Sequence, residues 1–212
     1  MMMKFIRIFL LLTICISFSI SLNAKTLKYD KCIKSADIGN YISNKKFDGI
    51  DFEKINVKKA KENCLKALKF FPNDIKILRS LGRIFYKNEE FKDAMKFYKK
   101  ASQLGDAFSD WGMFNLFYYG EGVKKDYDKA FPYILRAANK NFIYALEKIG
   151  DLYVFGHGTK IDFNKALEAF KKCSNYNIEW CLFQLSRAYE KGIYNQKKDE
   201  KKKLYYFNRL IE

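Results

Sequence analysis

Gly-Glu-Gly-Val-Lys-Lys-Asp at 120–126, with an alanine at 130, returns 36 residues later as Gly-His-Gly-Thr-Lys-Ile-Asp at 156–162, with an alanine at 166. Self-similarity at a fixed period of this size marks a solenoid, in which each copy is a small unit that buries its apolar face only against its neighbours. The alanine keeps the count outward from this pair. Ala60 to Ala94 is 34 residues, and Ala94 to Ala130 and Ala130 to Ala166 are each 36.

The runs between these markers have helical periodicity. Val57, Ala60, Cys64, Ala67, Leu68 and Phe71 follow a three-and-four spacing that Pro72, Asn73 and Asp74 end. Asp74 is placed to cap a helix carrying Ile77, Leu78, Leu81, Phe85 and Tyr86, which stops at 87–90. Residues 91–104 follow as its partner, with Ala94, Phe97, Tyr98 and Ala101 inward. In the later units the extra length is the glycine-bearing loop, whose glycines suit a left-handed turn. Asp126 and Asp162 are placed to cap the helices after it. No strand pattern is found.

Residues 105–130 and 142–166 resemble a Sel-one-like repeat (SLR), and 74–105 resembles a tetratricopeptide unit. The resemblance extends over roughly residues 57–212 and implies one antiparallel helix pair per repeat. The expected fold is therefore all-α, a right-handed α-solenoid of stacked antiparallel helix pairs. In the repeat frame the first helices place Ser109, Ala145 and Cys181 at one small position, and the second helices place Ala101, Ala137 and Cys173 at another. Small residues there let neighbouring helices approach closely. Phe114 stands where the family pattern has glycine, which predicts wider spacing or local repacking. Pro132 fits only if its helix starts near Asp128. The last unit replaces its loop with the basic stretch 193–203, and Tyr205, Tyr206, Leu210 and Ile211 can form a short closing helix. A polar terminal unit is what a solenoid cap requires.

Residues 1–24 have the layout of a signal peptide: Lys4 and Arg7 first, then an apolar run ending at Leu22-Asn23-Ala24. An uncleaved membrane anchor is the alternative. Residues 25–56 read as an irregular leader and 57–212 as the solenoid. Four cysteines follow the signal, and an exported chain uses them in disulfides. Cys173 and Cys181 occupy both small positions of one inter-repeat contact, which predicts a disulfide between them. The alternative is two buried thiols. Their eight-residue offset also resembles that of cysteine-rich secreted SLR proteins. Cys32 and Cys64 then pair by elimination.

The net charge of +16 suits an acidic partner or an anionic envelope surface. Export argues against nucleic acid. No Cys-x-x-Cys occurs and the single histidine, His157, lies in a loop, so neither a metal nor a cofactor is expected. His157 takes the variable place held by Glu121 one repeat earlier and reads as an exposed loop residue. A Ser-x-x-Lys match at 43–46 lacks the Ser-Asp-Asn and Lys-Thr-Gly partners of β-lactam-reactive enzymes. Some cysteine-rich SLR proteins are linked to β-lactams, so an envelope enzyme acting on β-lactams or peptidoglycan fragments stands as an alternative. The main reading is a non-enzymatic scaffold, in the periplasm or outside the cell, that grips a protein or peptide partner. The candidate groove residues are Arg83, Asn115, Tyr118, Lys148, Asp151 and Arg187, polar or aromatic positions between core ones on the first helices.

Overall fold

The computed structural model describes residues 22–39 and 49–211. Among these residues there are ten α-helices, a short 3-10 turn at Phe52–Lys54 and no strand. The first helix, α1, covers residues 22–36. It is followed by α2 (Val57–Leu68), α3 (Ile75–Lys87), α4 (Phe91–Gln103), α5 (Ala107–Tyr119) and α6 (Tyr127–Asn139). The last four are α7 (Ile143–Phe155), α8 (Phe163–Ser174), α9 (Glu179–Lys191) and α10 (Glu200–Ile211). From α3 onward the helices pair in sequence as the period requires, giving an α-solenoid whose first helices are α3, α5, α7 and α9. The Ser-x-x-Lys match at 43–46 lies outside the described residues, as does the expected signal apart from residues 22–24.

The ends of the helices are written locally. Asp74, Asp126 and Asp162 each accept a hydrogen bond from the backbone N–H three residues on, at Ile77, Lys129 and Lys165 (3.0, 2.9 and 3.0 Å). Asn56, Asp106 and Asp199 do the same for Lys59, Ser109 and Lys202. Each such cap is worth about 1 kcal/mol. Gly120 and Gly156 end α5 and α7 in the left-handed conformation, at φ 79° and 70°. Pro132 lies inside α6, beyond its first turn, and leaves the Asp128 carbonyl without its helical donor. Both residues are exposed, so water can supply the missing bond.

Packing between the two helices of a pair follows one rule of size exchange. Gly82, Phe114, Gly150 and Ser186 share a register on the first helices, and Tyr98, Ile134, Phe170 and Phe207 share one on the second. A Cβ on Gly150 would lie 2.7 Å from Cδ1 and 2.8 Å from Cζ of Phe170, and one on Gly82 would overlap the Tyr98 ring. Gly112 closes on the other edge of the same tyrosine. Where the first helix instead carries Phe114, the second carries the smaller Ile134, and both are fully buried. The expected repacking at Phe114 is thus a transfer of volume across the pair, which keeps the density interiors require. Ser109, Ala145, Cys181, Ala101, Ala137 and Cys173 are all completely buried, as small residues at helix crossings should be.

Both disulfides are present. Cys173 and Cys181 join the end of α8 to the start of α9, and Cys32 and Cys64 join α1 to α2 with Cα atoms 4.5 Å apart. The part of the leader expected to be irregular is therefore corrected: residues 22–36 are helical and run antiparallel to α2. Tyr29 meets Phe71, Lys28 covers the Phe70 ring, and Cys32 and Ala36 are buried. The physical reason is a short stripe, Tyr29, Cys32, Ile33 and Ala36, which has helical spacing but too few apolar residues to stand out beside lysines.

The last unit also departs from expectation. Helix α10 buries none of its residues fully, and Leu204, Tyr205, Phe207 and Ile211 are exposed beside Phe183. The exposed surface of α10 therefore mixes these apolar side chains with Lys201, Lys202 and Asn208.

Candidate functional site: the inner groove

Stacking the pairs sets the first helices side by side along the inner, concave face. The N-terminal third of that face is occupied by the chain itself. Residues 36–39 and 49–54 lie against α3, whose Arg79, Arg83 and Lys87 stand one turn apart on one side of the helix. Arg79 is buried and donates from Nε and Nη2 to Asp37 Oδ1 (2.9 and 2.6 Å) and from Nη1 to Asp106 Oδ1 (3.1 Å). Arg83 Nη1 donates to the Ala36 carbonyl (2.6 Å) and Nη2 to the Ile50 carbonyl (2.9 Å). Lys87 Nζ reaches the carbonyls of Phe52 and Glu53, each at 2.7 Å. The segment is thus gripped mostly through its main chain, with one carboxylate as anchor. Arg83 is only 4 % exposed. Its expected place on an open groove is corrected: the non-repeating segment, which carries no periodic signal, covers it.

Asn115, Asp151 and Arg187 follow Arg83 in register along the groove. Asn115 is half-buried and its Oδ1 is shielded without a hydrogen-bond partner. Asp151 accepts from Trp180 Nε1 at 3.2 Å. Burial raises the Asp151 carboxyl above its usual range, opposed by the Trp180 hydrogen bond and by Lys148. Lys148 Nζ lies 5.1 Å from the centre of the Tyr118 ring, a cation–aromatic contact that ties α7 to α5. Arg187 lines a separate cavity of about 490 Å³ between α9 and α10, with Phe183, Leu204 and Phe207. The structure therefore brings Tyr118 and Lys148 together. It places Asn115 and Asp151 beside aromatic neighbours and sets Arg187 at the open C-terminal end.

His157 is not the exposed loop residue its position suggested. Its Nδ1 lies 3.1 Å from the Tyr118 hydroxyl, and its ring stacks on Tyr127 at 4.4 Å. Glu121, its counterpart one repeat earlier, accepts from the Tyr86 hydroxyl at 2.6 Å. Tyr86 and Tyr118 are themselves in register. The variable loop residue thus returns to a tyrosine of an earlier first helix in both repeats. Burial and then the Glu121 bond push the Tyr86 hydroxyl pKa up, and burial does the same at Tyr118. The sequence carried no clear signal of this, because the residue types differ and the separations, 35 and 39 residues, are unequal.

Among the described residues no cluster of three or more His, Cys, Asp or Glu side chains is placed to hold a metal ion. Trp111 and Tyr144 lie with ring centres 6.0 Å apart on α5 and α7, and Trp180 and Phe183 continue the aromatic line on α9. Amphipathic aromatics with scattered charges suit contact with a polypeptide.

The Sel1 repeat model matches residues 86–106, 111–142, 143–172 and 181–212, together more than half of the chain. The chain belongs to the Sel1 repeat family, whose members generally mediate protein–protein interaction as scaffolds that are typically non-enzymatic. Among solved structures it is similar to c5321, a protective antigen of uropathogenic Escherichia coli displaying an SLR fold. That match has 19 % identity and a TM-score of 0.66, and covers 72 % of this chain and 33 % of the other. A Sel1 repeat protein from Oxalobacter formigenes is similar at 25 % identity and a TM-score of 0.63, covering 74 % of this chain and 63 % of that one. This chain therefore spans about a third and somewhat under two thirds of the two. No curated protein matches the sequence.

Proposed function

We propose that the chain is an exported repeat scaffold whose inner groove holds a protein or peptide partner in the periplasm or cell envelope. The observation that carries the reading is the grip of Arg79, Arg83 and Lys87 on residues 36–39 and 49–54, which lie against the groove as a ligand would. The open continuation across α5, α7 and α9 offers a partner similar surroundings: aromatic rings with Lys148, Asp151 and Arg187 among them. Export is supported by the paired cysteines, since disulfides persist in oxidising compartments. Among the described residues no helix is long and apolar enough to cross a membrane.

The test is site-specific photo-crosslinking in a native envelope extract. A benzoylphenylalanine at position 148 or 151 should trap a partner that the same group at 96 or 99, on the outer helix α4, does not. Equal trapping from both faces refutes the groove.

A second reading has its own observation. The outer helices carry the positive charge: α4 alone has Lys92, Lys96, Lys99 and Lys100 against one acid, Asp93, whereas α5 on the inner face has no basic residue. An anionic envelope surface would then be held by the convex side. Trapping from 96 and 99 alone, with binding lost as salt rises, is its signature.

A further inference from the structure

Beside residues 50–52 a cavity of about 360 Å³ remains, lined by Phe52, Arg83, Phe108, Trp111, Asn115 and Tyr144 among others. We propose that this cavity is a binding site for a carboxylate carried on an aromatic or large apolar body. The inference deepens the groove reading at its N-terminal end, and it rests on two buried polar atoms without a hydrogen-bond partner, Arg83 Nε and Asn115 Oδ1.

The first is Arg83. Its guanidinium lies 6.0 Å from the Phe52 ring centre and 5.7 Å from that of Phe108. Both terminal nitrogens donate to neutral carbonyls, and Nε–H has no acceptor. The two nearby acids are engaged elsewhere, Asp37 by Arg79 and Asp51 by Lys54. Among the described residues Arg83 is thus a buried cation without a contacting counter-charge, and burial lowers its pKa to about 10. The second is Asn115, whose Oδ1 is buried and unpartnered. Its amide can turn to present either oxygen or NH2.

Leaving such groups buried and unmatched is costly, and a charge more so than a dipole. A carboxylate accepts from Arg83 Nε–H and neutralises the guanidinium, and with the Asn115 amide turned so that its NH2 faces the cavity it accepts there too. The surrounding rings would take the apolar body of the ligand. A neutral amide could satisfy the hydrogen bonds but would leave the charge unmatched, so the site should distinguish acid from amide.

Trp111 provides the reporter, because the chain has two tryptophans and a Trp180→Phe background silences the other. Three probes are titrated against the oxidised protein while Trp111 emission is followed. They are N-acetyl-L-phenylalanine, its amide, and the tetrapeptide Ala-Ala-Ala-Phe with a free carboxyl end. The expected result is a saturable change with the acid, the tetrapeptide or both, and binding about tenfold or more weaker for the amide. Saturation by the tetrapeptide alone identifies a chain terminus as the source, and saturation by the acid identifies a free small carboxylate. Asn115→Leu should weaken binding by a similar factor without lowering the melting temperature. Tyr144→Ala, at a partly exposed wall, provides a second variant should that one fold poorly. Equal affinity for acid and amide, no effect of either variant, or no saturation by any probe overturns the proposal. If crosslinks from 148 and 151 persist in that case, the groove stands and only the pocket falls.

Discussion

Exchange of volume between Gly150 and Phe170 makes the effect of one substitution depend on the other. In the native chain Gly150→Ala has two opposing effects. The added methyl improves helix propensity by about 1 kcal/mol. It also overlaps the Phe170 ring, nearest to Cε1, and such overpacking costs about 1–3 kcal/mol, because α7 and α8 must separate or the ring must leave its rotamer. The steric effect prevails, so Gly150→Ala should lower stability by about 1 kcal/mol. Phe170→Ile installs the smaller residue that α6 has at this register and should itself cost about 1–2 kcal/mol through the space it opens. In the Phe170→Ile background the overlap is gone, and Gly150→Ala should then raise stability by up to about 1 kcal/mol. The measurement is urea unfolding of the four oxidised proteins followed by circular dichroism, read as a double-mutant cycle. A change of sign supports the packing rule. The same sign and size in both backgrounds would show that the Phe170 contact does not govern the site.

Three further outcomes follow from particular contacts. Cys32→Ser with Cys64→Ser should cost about 3.7 kcal/mol in the chain-entropy model, against about 2.5 kcal/mol for Cys173→Ser with Cys181→Ser, because the first pair closes the larger loop; chemical denaturation of each double variant measures both. Arg79→Met leaves Asp37 and Asp106 buried without their shared cation and should cost about 3–5 kcal/mol, with amide exchange rising first at residues 36–39. At Asp151 the folded-state carboxyl holds its proton to higher pH than the unfolded one. Its contribution to stability therefore falls as pH rises from the ordinary aspartate value of 3.8 through the raised folded value, and is absent below 3.8. Asp151→Asn should remove that decline and raise the melting temperature at neutral pH, and a thermal-melt series against pH decides it.

The sequence by itself determined the repeat, its helix boundaries and the order of the pairs. The Gly120 and Gly156 loops, the caps at Asp74, Asp126 and Asp162, and the Cys173–Cys181 junction are all local or are copied at one fixed offset. A solenoid's contacts join neighbouring units, so whatever one repeat shows in sequence another confirms. Tertiary structure alone decided the groove. The placement of residues 36–39 and 49–54 has no second copy to compare with, and its contacts, such as Asp37 with Arg79 and Ala36 with Arg83, span 42 and 47 residues. Whether an arginine at a first-helix position faces solvent or a covering segment depends on that placement and not on its own neighbours in the chain. The same holds for His157 and the open face of α10. Their environments are set by what another part of the chain places, or fails to place, against them.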